Sequence, residues 1–264
     1  MSPQAPGLSR TPYAPAQGPD PRSFARFGDN GLPMRMDGEP ATNTDPTAPW
    51  SLVVPLKPLA LAKSRLSAAA DDVLRPHLAL AFALDTVTAA LACPAVRDVA
   101  VVTDDPGAAA ELAALGARIV PDSPAAGLNA ALTHGAQAVR ALRPAAAVAA
   151  LNADLPALRP VELTRVLAKA AIFPRAFLTD AAGIGTTLLS AASGVELRPA
   201  FGGRSRRRHL RSGAAEILLD AVDSVRQDVD TGDDLQAALA LGVGPRTAER
   251  WAAGAHAMEG RRDG

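Results

Sequence analysis

This 264-residue sequence has a single cysteine, few aromatic residues, no net charge and no long apolar run. Cys93 has no cysteine with which to form an internal disulfide, which is typical of proteins in a reducing cytoplasm. Lys and Arg number 27, as do Asp and Glu, so no overall charge attracts nucleic acid or an anionic membrane. No segment approaches the roughly 18 apolar residues of a membrane span. We therefore expect a cytoplasmic protein that binds neither nucleic acid nor membrane.

Composition divides the chain into three parts. Residues 1–49 contain ten prolines and five glycines but few aliphatic residues, which predicts a disordered extension. Residues 50–246 carry the apolar segments and are predicted to form one domain with a core of Ala, Leu and Val. Residues 247–264 are predicted to be a polar tail.

Strand-like and helix-like segments alternate within the predicted domain. Apolar runs predict strands at 51–56, 99–103, 117–120, 145–151, 176–179 and 186–190. Helical spacing, proline starts and glycine stops predict helices at 72–91, 106–115, 128–142, 160–171 and 233–241. This alternation indicates an α/β fold: a single three-layer domain with a mainly parallel central sheet. Residues 172–225 break the rhythm and are interpreted as an insertion that forms a lid or the wall of a second substrate site.

Three acidic stretches follow or end β-like runs, at residues 103–105, 152–156 and 228–230. Such folds bind ligands at strand ends, where converging carboxylates need a cation, usually Mg²⁺ with a polyphosphate. Asp228 and Asp230 share one face of an extended backbone and suit a metal ion. Alternatively, Asp230 belongs to the N-cap of the last helix, and Asp154 is an ordinary turn residue.

Three cations follow the first strand, where phosphates bind in doubly wound folds: Lys57, Lys63 and Arg65. The alternative is an ordinary solvated loop. The sequence has neither a P-loop nor a Gly-x-Gly-x-x-Gly fingerprint, which disfavours a kinase-like ATPase and a dehydrogenase.

Small residues and hydroxyls occur together in Gly183-Ile-Gly-Thr-Thr187 and in Phe201-Gly-Gly-Arg-Ser205. They either let backbone N–H groups approach an anion or form two turns. Five arginines lie between 204 and 211 and indicate a helix face or an anion pocket. They lack the interleaved aromatic residues of a single-stranded nucleic-acid site.

Taken in order, these motifs form a recognisable set. The set comprises Pro55-Leu-Lys57, Ala62-Lys-Ser-Arg-Leu66, Val101-Val-Thr-Asp104, Gly127-Leu-Asn-Ala-Ala131, Asp154-Leu-Pro156, Gly185-Thr186, Arg198-Pro-Ala-Phe-Gly202 with Ser205 and His209, and Asp228-Val-Asp-Thr231. Over residues 51 to 246 the sequence resembles the phosphoenolpyruvate/2-phospho-L-lactate guanylyltransferases of coenzyme F-420 biosynthesis.

The resemblance implies a fold like that of the nucleotide-diphospho-sugar transferases and a set of site residues. Asp154, Asp228 and Asp230 would hold Mg²⁺. Thr186, Gly202 and Ser205 would bind the phosphoenolpyruvate-type acceptor. GTP would be surrounded by four further residues: Lys57, Lys63, Arg65 and Asn129. The three cations among them would be catalytic.

Two other interpretations stay open at this point. One is a different Mg²⁺-dependent nucleotidyltransferase, such as a sugar-phosphate or molybdopterin guanylyltransferase. The other is a non-enzymatic nucleotide- or RNA-binding module that uses the arginine run. The acceptor acid is also open between phosphoenolpyruvate, 2-phospho-L-lactate and 3-phosphoglycerate, because the three differ by few atoms.

Overall fold

The computed structural model describes residues 50–59, 66, 74–123 and 125–259. The extension predicted for residues 1–49 lies outside these ranges, as do Lys63 and Arg65. What the sequence predicts for them therefore stays a prediction.

The described residues form one seven-stranded sheet with the strand order β3-β2-β1-β4-β6-β5-β7. The strands are β1 (Trp50–Pro55), β2 (Val96–Val102), β3 (Arg118–Val120), β4 (Val148–Leu151), β5 (Arg175–Leu178), β6 (Leu188–Ala191) and β7 (Ala215–Glu216). Strand β6 runs antiparallel to both of its neighbours, and every other described pair is parallel. The predicted mainly parallel sheet is confirmed.

Helices cover both faces of the sheet and make the predicted three layers. They are α1 (Leu74–Leu91), α2 (Pro106–Ala114), α3 (Leu128–Leu142), α4 (Pro160–Ala170), α5 (Ser205–Arg211), α6 (Asp223–Arg226), α7 (Gly232–Leu241) and α8 (Pro245–Glu259). In β1, Leu52 and Val54 pack in the core with α1, α2 and α4, whereas Val53 packs on the other face with α3. Helix α3 lies close to the sheet because Gly135 has no side chain: a Cβ there would be 2.5 Å from Val53 Cγ1.

Residues 172–225 differ from the predicted insertion, because they supply β5, β6 and β7 of the same sheet. The segment expected to be β-like at Ser224–Arg226 forms the short helix α6 instead. Tertiary contacts explain this difference: the buried Glu162 carboxylate accepts hydrogen bonds from the Ser224 N–H at 2.9 Å and its hydroxyl at 2.7 Å. These bonds favour the helical turn over local β propensity.

Residues 247–259 of the expected polar tail are part of helix α8. The nearly buried Asp85 on α1 accepts hydrogen bonds from the N–H groups of Arg246 (3.3 Å) and Thr247 (2.8 Å). It thereby satisfies N–H donors at the start of α8 that have no acceptor within the helix itself. Gly254 then packs directly on α1, where a Cβ would meet Leu74 Cδ2 at 2.4 Å. Among the described helices, none is long and apolar enough to cross a membrane.

Candidate active site

A cleft of about 370 Å³ opens at the edge of the sheet where β1 and β4 end. The reversed direction of β6 brings its first residues to the same edge, since Leu151 at the end of β4 pairs with Leu188 at the start of β6. Residues that follow β1 and β4 and residues that precede β6 therefore meet around one cleft. The site is located where α/β folds ordinarily bind their ligands.

The cleft gathers most of the residues that the sequence predicts to be functional. Those that line it are Lys57, Asp154, Thr186, Gly202, Ser205, Asp228 and Asp230. Asn152 and Asp180 also line it, although the sequence assigned no role to either. The functional roles of all these residues remain predictions.

The acidic wall of the cleft is held by hydrogen bonds from three directions. The Leu155 N–H donates to the Thr86 hydroxyl of α1 at 3.0 Å, which fixes the turn after Asp154. The Val229 N–H donates to the Asp154 carbonyl at 3.0 Å and joins the two acidic segments. The Asn152 amide donates to Asp228 Oδ2 at 3.2 Å, which orients that carboxylate. Backbone and neutral partners thus fix the aspartates in the wall.

The structure gives the capping role at α7 to residues other than Asp230. Thr231 is the N-cap, and its side chain forms a capping box with Asp234. Asp230 lies just before this cap with an exposed side chain at the cleft. Among the described residues, no group of three or more His, Cys, Asp or Glu side chains is close enough to form a metal site by itself.

The first of the three acidic stretches, residues 103–105, does not line the cleft. The expectation that all three acidic stretches converge on one site is therefore wrong. Asp105 is the N-cap of α2 and accepts from the N–H groups of Ala108 at 3.0 Å and Leu59 at 3.1 Å. These two hydrogen bonds lower the pKa of Asp105. Asp104 accepts from the Asp122 N–H at 2.9 Å. Both aspartates therefore stabilise loops, and Asp105 anchors the chain two residues beyond Lys57.

A tight turn places Thr186 at the opposite wall. The Asp180 carboxylate accepts hydrogen bonds from the N–H groups of Ile184 at 2.9 Å and Gly185 at 2.7 Å. A Cβ at residue 185 would be 2.3 Å from Asp180 Oδ2, so a larger residue there would displace the Asp180 carboxylate or the turn. Asp180 therefore sets the position of the residue that follows, Thr186.

Two hydroxyls of this wall and an imidazole behind it form a hydrogen-bonded chain. Ser205 Oγ lies 3.0 Å from Thr186 Oγ1, which lies 3.0 Å from His209 Nδ1. The other ring nitrogen of His209 accepts from the Ala200 N–H at 3.0 Å. Burial, together with the nearby Arg175 and Arg208 charges, lowers the pKa of His209 to about 4. The imidazole is therefore neutral at pH 7.

The loop that carries Gly202 is held from both sides. Asn129 accepts from the Phe201 N–H at 2.7 Å and donates to the Phe201 carbonyl at 3.2 Å. Arg208 donates to the carbonyls of Ala200 and Phe201, at 3.0 and 3.1 Å, and to that of Gly202. The Asn129 amide thus positions the loop, and its predicted GTP contact stays a prediction.

The arginine run is only partly available to a ligand. Arg208 is engaged with the Gly202 loop, and Arg206 makes two hydrogen bonds with Glu216 at 2.8 and 3.1 Å. The exposed members are Arg204, Arg207 and Arg211. This use of the arginines in internal contacts weakens the interpretation of the run as an RNA-binding surface.

Comparisons with known proteins agree with this fold. Residues 81–223 match the family model of the MobA-like NTP transferase domain. The fold is similar to a structure from Desulfovibrio desulfuricans G20 that is named for the nucleotide-diphospho-sugar transferases, with a TM-score of 0.54 and 15% identity over 72% of this chain and 86% of that one. The family match and the fold together define a nucleotidyltransferase of the α/β class.

Closer relatives narrow the family. The chain is 75% identical over 199 residues to the phosphoenolpyruvate guanylyltransferase of Streptomyces coelicolor, covering 75% of this chain and 94% of the relative. It is 60% identical over 207 residues to that of Thermomonospora curvata, covering 78% and 90%. The chain belongs to the phosphoenolpyruvate guanylyltransferase family. The predicted family, its fold and its enzymatic nature are thereby confirmed.

Proposed function

We propose that this enzyme joins GTP to phosphoenolpyruvate, releases pyrophosphate and forms enolpyruvoyl-2-diphospho-5'-guanosine for coenzyme F-420 biosynthesis. The observation that carries the proposal is the composition of the two walls of the cleft. One wall contains the carboxylates of Asp154, Asp228 and Asp230, and the other contains the hydroxyls of Thr186 and Ser205 beside Gly202. In a chain of this family, the two walls suit a metal-bound nucleotide and a small anionic acceptor.

The reaction needs little acid–base chemistry. A phosphate oxygen of phosphoenolpyruvate attacks the α-phosphorus of GTP, a new P–O bond forms, and the bond to the leaving pyrophosphate breaks. The attacking oxygen is already anionic, so no side chain has to remove a proton. The protein must instead bring two anions together and offset their repulsion. Lys57, exposed at the cleft after β1, supplies positive charge for this purpose.

The aspartates of the cleft are suited to a divalent metal such as Mg²⁺. Mg²⁺ is commonly held by one or two carboxylates, with substrate phosphates and water completing its six ligands. The acidic wall supplies such carboxylates without a preformed cluster of three within the described residues. Asp154, Asp228 and Asp230 would hold the ion, which when bound would neutralise phosphate charge. The chain's own contribution is to fix the backbone on either side of the Asp154 side chain, through Thr86 and Val229, and to orient the Asp228 carboxylate through Asn152.

On the acceptor side, hydrogen-bond donors are available to the carboxylate or phosphate of phosphoenolpyruvate. Gly202 has a φ of 94°, a conformation that favours glycine and leaves its backbone exposed at the cleft. The Thr186 and Ser205 hydroxyls belong to the same wall and have no charge of their own. Neutral donors bind an anion without forming a fixed ion pair, which allows the diphosphate product to leave.

Pyrophosphate release tests the proposal directly. The full chain is assayed with GTP, ATP, CTP or UTP, each combined with phosphoenolpyruvate, 2-phospho-L-lactate or 3-phosphoglycerate and Mg²⁺. We expect the highest kcat/KM for GTP with phosphoenolpyruvate. Equal turnover with ATP, or no turnover with any of the three acids, would contradict it. A preference for a sugar phosphate would identify a different guanylyltransferase.

A further inference from the structure

His209 is buried and contacts both parts of the predicted acceptor wall, the Thr186–Ser205 hydroxyl pair and the loop that carries Gly202. Its ring nitrogens contact Thr186 on one side and Ala200, in the Gly202 loop, on the other. The ring itself packs against Phe177 and Phe201, with centroid separations of 5.5 and 5.3 Å. It is therefore fixed in place and lies behind the cleft, not in it.

The contact with Ala200 determines which ring nitrogen carries the proton. A backbone N–H can only donate, so His209 Nε2 must accept and cannot carry a hydrogen. In the neutral ring the hydrogen is then on Nδ1, which donates to Thr186 Oγ1 at 3.0 Å. The lowered pKa of His209 is consistent with this neutral form.

The number of hydrogens in the His209–Thr186–Ser205 hydrogen-bonded chain determines whether the acceptor wall donates or accepts hydrogen bonds. The Nδ1–H, the Thr186 hydroxyl and the Ser205 hydroxyl carry three hydrogens, and the two contacts among them use two. Whichever way the hydroxyl pair is oriented, one hydroxyl hydrogen is left to donate. Both hydroxyl residues line the cleft, and the described residues offer these hydroxyls no other acceptor.

The other tautomer would reverse this polarity. If Nδ1 had no hydrogen, the Thr186 hydroxyl would donate to it and the Ser205 hydroxyl would donate to Thr186. Both hydrogens would be used, and only oxygen lone pairs would face the cleft. Lone pairs repel an anion, whereas a hydroxyl hydrogen attracts it. The position of one hydrogen on His209 thus determines whether the wall accepts or rejects an anionic ligand.

We propose that His209 is a positioning residue for the acceptor: held as the Nδ1–H tautomer by Ala200, it makes the Thr186–Ser205 hydroxyl pair a hydrogen-bond donor to the acceptor's anionic group. The proposal rests on the proposed function for the identity of the ligand, and it assigns His209 no contact with substrate. It also links the Gly202 loop to the hydroxyl pair, because the same ring binds both.

The tautomer is measured without any turnover. Nitrogen-15 NMR of the histidine rings in the full-length protein at neutral pH distinguishes a protonated Nδ1 from a protonated Nε2. We expect one buried histidine, absent from the spectrum of His209→Gln, to be the neutral Nδ1–H form. An Nε2–H form or an imidazolium would overturn the proposal even if the enzyme turned over GTP and phosphoenolpyruvate normally.

A double-mutant cycle tests whether His209 acts through Thr186. A glutamine at 209 can reach only one of the two imidazole contacts, so His209→Gln should raise the phosphoenolpyruvate KM about tenfold and leave the GTP KM within about twofold. In a Thr186→Val background, His209→Gln should not raise the phosphoenolpyruvate KM further, because the Thr186 hydroxyl that His209 orients is already absent. The exposed His77 provides the matched control, His77→Gln, which should match wild type.

Two outcomes would overturn the proposal. Independent effects that multiply in the double variant would show that His209 does not act through Thr186. A parallel change in both KM values, with a lower Tm, would show a general structural role. If wild type itself has no turnover with phosphoenolpyruvate, the proposed function fails, and the NMR result still decides the tautomer.

Discussion

The Val229 N–H donates a hydrogen bond to the Asp154 carbonyl at 3.0 Å, and this bond joins two acidic segments that are far apart in the sequence. The side-chain carboxylates of Asp154 and Asp228 take no part in this backbone hydrogen bond. The spacing of the acidic wall is therefore set by the backbone, and the side chains of Asp154 and Asp228 can be changed without removing this link.

From this we predict that Asp154→Asn, Asp228→Asn and Asp230→Asn each lower kcat/KM by at least about a hundredfold while changing Tm little. Asparagine keeps the shape and removes the charge that would hold a divalent metal, which costs transition-state stabilisation and not fold stability. Steady-state kinetics over a Mg²⁺ titration and thermal unfolding provide the measurement. Asp233→Asn, an exposed residue in the first turn of α7, is the matched control. Near-normal rates at saturating Mg²⁺ would remove the residue concerned from the metal site.

The acceptor wall yields a second prediction. Thr186→Val and Ser205→Ala each remove a hydroxyl from the cleft, and we expect each to raise the phosphoenolpyruvate KM at least several-fold while the GTP KM is nearly unchanged. Loss of one neutral donor to a charged group costs about 1.5–3 kcal/mol. Kinetics with each substrate varied separately measures this. An unchanged acceptor KM in both variants would mean that this wall is not the acceptor site.

The sequence predicted the sheet from local patterns, and it predicted much of the cleft from the family resemblance of its motifs. Strands that alternate with capped helices predict a parallel sheet, and Lys57, Asp154 and Thr186 adjoin segments with recognisable strand character. The roles of His209 and Asn129 depend on contacts with Thr186 and Phe201, which lie 23 and 72 residues away along the chain. No local pattern reports such contacts.

Other features were missed for different reasons. Helix α8 has a polar composition, and its stability comes from Asp85, more than 160 residues earlier. The antiparallel direction of β6 was not predicted, because alternation alone does not fix the direction of a strand that follows a short turn. Asp180 had a local signal: an aspartate whose carboxylate can bind N–H groups four and five residues later.

The turn before Thr186 provides a third prediction. In Gly185→Ala, the new methyl group would lie 2.3 Å from Asp180 Oδ2, so the Asp180 carboxylate, which holds the turn through two N–H groups, or the turn itself must shift. We expect a loss of about 1–3 kcal/mol in the free energy of unfolding and a higher acceptor KM. Gly107→Ala in α2 is the control, since its Cβ would be at an ordinary 3.5 Å from Asp105. Equal stability of both variants in urea unfolding would contradict the steric argument.

Helix α8 provides a fourth prediction. Asp85→Ala removes the acceptor of two N–H groups at the start of α8, and we expect it to lower the free energy of unfolding by about 2 kcal/mol. Deletion of residues 245–264 should destabilise the protein further, because the α1 surface beneath Gly254 becomes exposed. Thermal unfolding measures both. A truncated protein as stable as the full chain would show that α8 does not contribute to the folded domain.

The last prediction concerns acid stability and His209. Its pKa in the folded protein is about 4, below its ordinary 6.5, because the ring is buried beside Arg175 and Arg208. Between these two values the unfolded chain binds a proton that the folded protein does not, so stability falls as the pH falls. The contribution is complete above pH 6.5 and is lost progressively toward pH 4.

Urea unfolding at pH 7 and pH 4.5 measures this contribution. Allowing for solvent screening, wild type should lose about 2 kcal/mol more than His209→Gln between the two pH values, since glutamine does not titrate. Carboxylates titrate in both proteins, and the comparison cancels their effect. His77→Gln, which removes an exposed histidine outside the cleft, is the matched control. Parallel pH dependence in wild type and His209→Gln would mean that His209 is protonated as readily in the folded protein as in the unfolded chain.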